Sequence, residues 1–125
     1  MIEGYPKTWL DDDGILCVDF GPHARHTREN QDKIYQRHME LAPGRKSPVL
    51  VLLKSGLTSD REAEKFASSD KIVAVISAMA LVTETPLSNH LAQMFMWFSR
   101  PPYPTRLFTD ENRARDWLLQ FSHQQ

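Results

Sequence analysis

With one cysteine in 125 residues, Cys17 has no partner for an internal disulfide, so no covalent staple is available to the fold. No apolar run approaches the roughly 20 residues that a membrane helix requires. The polar start MIEGYPKTWLDDDG carries no signal-peptide core. Charge of one sign is missing as well. Fifteen Lys and Arg are offset by sixteen Asp and Glu, and the basic residues are scattered, so no stripe can neutralise a row of phosphates. Neither nucleic acid nor a membrane is therefore expected as a partner, and the cytoplasm is the expected location.

Catalytic signatures are equally scarce. There is no G-x-S-x-G, and Cys17 sits in the apolar run Ile15-Leu16-Cys17-Val18, where a buried structural thiol is expected. His23-x-x-His26 offers two metal ligands, but His38, His90 and His123 fall on two other helices and in the tail. No catalytic residue, no metal and no cofactor is expected, and the chain reads as no enzyme.

What is present is the balance of a globular protein. Hydrophobic residues make up 41% and charged residues 25%, enough for a core but not for disorder, and the length fits one domain over 1–125. Two short apolar stretches, Thr8 to Leu10 and Ile15 to Phe20, flank Asp11-Asp12-Asp13-Gly14. Such a cluster reads as a hairpin turn, because Asp and Gly tolerate positive φ. Thr27 caps a predicted helix running to about Ala42, with Ile34, Tyr35, His38, Met39 and Ala42 on its buried face. Pro43-Gly44 stops it.

Val49 to Leu53 and Lys71 to Met79 are apolar without alternation, as central strands of a sheet covered on both faces would be. Between them Ser59-Asp60-Arg61-Glu62 has the spacing of a capping box. Thr85-Pro86 starts a further helix that ends before Pro101-Pro102, Thr105 to Phe108 reads as a strand, and Thr109 caps the last helix. Ala114, Trp117, Leu118 and Phe121 form its buried stripe. The predicted order is β-β-α-β-α-β-α-β-α: an α/β fold with a mainly parallel sheet of about five strands and an antiparallel N-terminal edge strand.

This element order, together with Phe108-Thr109-Asp110-Glu111 leading into Ala114-Arg115-Asp116-Trp117-Leu118, resembles the SpoIIAA-like (STAS-like) α/β proteins, relatives of the anti-sigma-factor antagonists. The resemblance implies a non-enzymatic role in recognising a partner protein. It also implies a regulatory serine in the loop after the central strand, here Lys54 to Asp60. Hydroxyls stand there at Ser55, Thr58 and Ser59, but the family's Asp-Ser-Ser-Gly pattern is absent.

In open α/β sheets the functional edge lies where strand C-termini meet helix N-termini, since free N–H groups there stabilise anions. The segments predicted to arrive at that edge bring His23, Arg25, His26, Lys54 and Thr85 as a binding rim, with Ser55, Thr58 and Ser59 as an anion or phosphorylation site. On the helix after Thr85, a 100° repeat puts Leu87, Leu91, Met94, Phe95 and Phe98 toward the sheet. Met96 then lies roughly opposite and Trp97 at the margin, so these two are the expected homodimer surface. Arg100 to Pro104 reads as a stiff connector. The expected function is a regulatory or scaffolding interaction module, the alternative a binding protein for a small anionic or apolar ligand.

Overall fold

The computed structural model describes residues 5–22, 24–54, 57–99 and 101–121, without the side chains at 57, 95 and 97–99. Strands β1 (Lys7–Leu10), β2 (Leu16–Asp19), β4 (Ser47–Leu53), β6 (Ile76–Thr83) and β7 (Thr105–Phe108) form a five-stranded sheet in the order β1-β2-β4-β6-β7. β1 pairs antiparallel with β2, and every other pair is parallel. The α/β sheet with its antiparallel edge is the one expected. At the hairpin the Asp11 carboxylate accepts from the N–H groups of Asp13 and Ile15, both at 2.9 Å, and Gly14 takes φ 80°.

The apolar runs are explained by two covered faces. Leu16, Val18, Val49, Val51, Leu53 and Leu81 point to one side. They meet α1 (Arg28–Leu41), α2 (Arg61–Ala67), α3 (Asp70–Val73) and the inner side of α4 (Pro86–Ser99). Ile15, Cys17, Leu50, Ala78, Ala80 and Val82 point the other way, against Ala114 and Leu118 of α5 (Glu111–Leu119). Strand alternation puts consecutive residues on opposite faces, so a run buried on both must be apolar throughout.

Four expectations need correction. Lys71 to Val73 are helical, and the strand begins at Ile76 and continues through Leu81 to Thr83. A short apolar run does not by itself distinguish buried helix from buried strand. The loops after β2 and β4 each contain a three-residue strand, β3 (Ala24–His26) and β5 (Leu57–Ser59), and these pair parallel in a separate ribbon. The cap of α2 is Asp60, accepting from Ala63 N–H at 2.7 Å, because the Ser59 hydroxyl is engaged elsewhere. Likewise Asp110, not Thr109, caps α5.

The fourth concerns α4. Thr85 and Ser88 cap each other reciprocally, Ser88 N–H donating to Thr85 Oγ1 and Thr85 N–H to Ser88 Oγ. That turns Ser88 and Ala92, both fully buried, toward the sheet, with Met96 half-buried against the core behind them. Small residues let the helix axis approach closely. Leu87, at 60% exposed, and Met94, at 44%, consequently face outward rather than inward. Met96 is thus a core contact, and the Trp97 side chain lies outside the described residues.

Candidate functional site

Between the sheet and helices α1 to α3 the packing leaves a cavity of about 80 Å³, partly open to solvent. Sheet residues Leu16, Val18, Val49, Val51 and Leu81 line one wall, and Ile34, Tyr35, Ala67 and Ile72 line the helical side. Tyr103, from the proline-rich connector, lines it too. Its hydroxyl donates to Ala67 O at 3.2 Å, and burial pushes the phenol up to about 12.

Among the described residues the polar lining is limited to His26, Gln31, His38, Glu64, Ser68 and the two tyrosines, with no lysine or arginine. His38 is only 2% exposed, and burial lowers its imidazole to about 4, so it is neutral at physiological pH. Its Nε2 has no hydrogen-bond partner. Among the described residues one other buried side-chain atom shares that state, Ser77 Oγ, which does not line the cavity. A buried polar atom without a partner costs about 1–3 kcal/mol, so native structures hold few of them.

His26 connects the cavity to the rim. It lines the cavity, and its Nδ1 shares a hydrogen bond of 2.9 Å with Ser59 Oγ across the β3–β5 register. Burial lowers it to about 4, opposed by the nearby Asp60 carboxylate. The ribbon brings Arg25, His26, Thr58 and Ser59 together, with Thr58 Oγ1 reaching Ala24 O at 3.5 Å. Lys54 is drawn away from it by an ion pair of 3.3 Å with Asp19, whose hydrogen bond raises the lysine above its ordinary range. Thr85 is occupied with its cap. His23 and Ser55 lie outside the described residues. The expected rim therefore divides: four residues share the ribbon, while Lys54 and Thr85 have structural partners of their own.

Of the Asp11–Asp13 carboxylates, Asp11 receives the turn N–H groups and Arg115 of α5, which also contacts Cys17 Sγ at 3.6 Å. Burial pushes the Cys17 thiol up to about 11, leaving it unreactive at neutral pH.

The cavity escaped sequence reading because it is a property of packing. One signal was available: His38 is the one imidazole among Ile34, Tyr35, Met39 and Ala42 on the buried face of α1.

A family model, described as a domain of unknown function (DUF7793), matches residues 8–122. The chain belongs to the DUF7793 family. No curated protein matches it at a significant level. Among solved structures, an uncharacterised DUF3478-family protein with a SpoIIAA-like fold from Shewanella loihica PV-4 is similar, with a TM-score of 0.62 at 19% identity. The match covers 89% of this chain and 91% of that one. A protein of unknown function from Arthrobacter sp. FB24 aligns at 23% identity over 94% of this chain and 96% of its own, with a TM-score of 0.32. The Shewanella likeness establishes the fold of this DUF7793 member as SpoIIAA-like.

Proposed function

We propose that this domain is a non-enzymatic binding protein for a small, largely apolar ligand held between the sheet and α1 to α3. One observation carries the reading: a cavity between the sheet and the helices lined almost wholly by apolar side chains, with the buried, neutral His38 among the few polar residues bordering it. Apolar pockets with a few placed polar groups are the common form of small-molecule sites. Histidines held near 4 are too weakly basic to act as general bases at neutral pH, which supports binding rather than catalysis. A single buried thiol suits a reducing compartment such as the cytoplasm.

A ligand that binds only the native state adds about 2.7 kcal/mol of stability at a hundredfold excess over its Kd. A thermal-shift series of small apolar alcohols and rings is expected to raise Tm in the wild type and not in Ala67→Leu, which narrows the cavity. Equal shifts in both proteins would contradict the reading.

A regulatory role in partner recognition is favoured by the Ser59–His26 bond, which ties an exposed hydroxyl to a cavity-lining side chain. A phosphate on Ser59 would disrupt that bond and change the cavity wall. Intact-mass analysis of protein from its native cell is expected to show a phosphorylated fraction; an unmodified mass under every growth state would contradict it. Self-association belongs on the outward side of α4, a helix without a charged residue, so a symmetric contact of Leu87 with Met94 meets no like charge. Sedimentation of wild type against Leu87→Glu reads this directly.

A further inference from the structure

The cavity is long and narrow rather than round. On β4, Val49, Val51 and Leu53 all line it, and on β6 the lining begins at Ile76, which pairs in register with Ser47. The lined stretch of sheet therefore runs from the level of Ser47 to that of Leu53, about 20 Å at roughly 3.3 Å per residue. Helix α1 returns between two parallel strands and so lies along the same direction. Its lining residues Gln31 and His38 are about 10 Å apart along the helix axis, at 1.5 Å per residue. A round void of about 80 Å³ would be only about 5 Å across and could not border both ends.

We propose, resting on the binding reading above, that the cavity takes an unbranched alkyl chain laid along the strands, in preference to a compact branched isomer of the same formula. At mid-length Val18, Val51 and Leu81 stand side by side in register on three neighbouring strands and form the floor. Ile34 and Tyr35 of α1 border the space from the helical side. Each methylene of an extended chain then leaves water for a wall of aliphatic carbon. Burial therefore adds affinity in proportion to chain length, about fourfold per methylene. A branched end concentrates the same carbons in one place. It is wider than the passage, so the side chains around it must leave their rotamers, and a close-packed interior resists such overfilling. The preference is set by shape and does not depend on which polar group the chain ends in.

The test titrates the full chain at neutral pH, followed by NMR, with 1-butanol, 1-pentanol, 1-hexanol and 3,3-dimethyl-1-butanol, the last a branched isomer of 1-hexanol. Affinity is expected to rise about fourfold with each methylene from butanol to hexanol. Hexanol is expected to bind about tenfold or more tighter than its branched isomer. With hexanol bound to the wild type, intermolecular NOEs are expected to reach the methyl groups of both Val49 and Leu53, at opposite ends of the β4 wall. An isomer that binds as tightly as hexanol, an affinity that stays flat from butanol to hexanol, or NOEs confined to one of the two residues would overturn the proposal while leaving the cavity a binding site. Failure of every probe to bind would overturn the binding reading itself.

Discussion

On one face of the sheet a single helix, α5, covers Ile15, Cys17, Leu50, Ala78, Ala80 and Val82; on the other, four helices cover Leu16, Val18, Val49, Val51 and Leu81 and still leave a cavity. Strand composition accounts for the contrast. Ala78 and Ala80, each fully buried, let α5 settle closely, and its aromatic margin of Trp117, Phe121 and Phe108 seals the contact with centroids 5.0 and 5.8 Å apart. The opposite face carries larger strand residues, two buried histidines and a tyrosine, and two of its four covering helices, α2 and α3, are short. One face is built for stability. The other retains a void and an unsatisfied polar atom, both of which cost stability, and such local conflicts are characteristic of functional sites.

Acid is expected to separate the faces most sharply. Burial holds His26 and His38 near 4 in the folded protein, whereas both return to about 6.5 when unfolded. As pH falls the unfolded chain takes up protons first. Stability is therefore full above about 6.5 and is lost between there and about 4, by up to about 3 kcal/mol for each histidine. Denaturant midpoints across that range check this, and His38→Leu and His26→Leu should each flatten the curve. A flat wild-type curve would mean that the cavity histidines are not held neutral.

Side-chain truncation gives the next effects. Leu118→Ala on the packed face is expected to cost about 3 kcal/mol, since nothing nearby can collapse into the space. Leu81→Ala on the cavity face is expected to cost less, about 2 kcal/mol, because atoms bordering a void already lack part of their contacts. Urea unfolding of the two variants side by side decides it; equal losses would erase the distinction between the faces.

The central strands, the edge hairpin, and the buried stripes of α1 and α5 were legible in the residues, because each is a periodicity over several turns or a run bounded by turn chemistry. Three kinds of feature were not. Strands of three residues, β3 and β5, are too short to show a period. Adjacent cap formers, Ser59 with Asp60 and Thr109 with Asp110, compete for one role, and the competition is settled by tertiary bonds such as Ser59 with His26. On α4 the larger residues suggested the inner face, yet Ser88 and Ala92 took it because close packing on the sheet favours small side chains. The rim was placed at the strand ends by general topology, and of its described residues Arg25, His26, Thr58 and Ser59 share the β3–β5 ribbon. The cavity beneath had one trace in the sequence, His38 on an apolar stripe.

That histidine also provides the most direct test of a face kept imperfect for binding. Equilibrium unfolding of His38→Leu without ligand, at pH 7, removes the unpaired Nε2 and adds apolar surface at similar volume. A gain of about 1 kcal/mol over the wild type is expected, since an unsatisfied buried polar atom disappears. A loss of stability of that size or more would show that His38 supports the fold, and the cavity would no longer stand apart from the packed face.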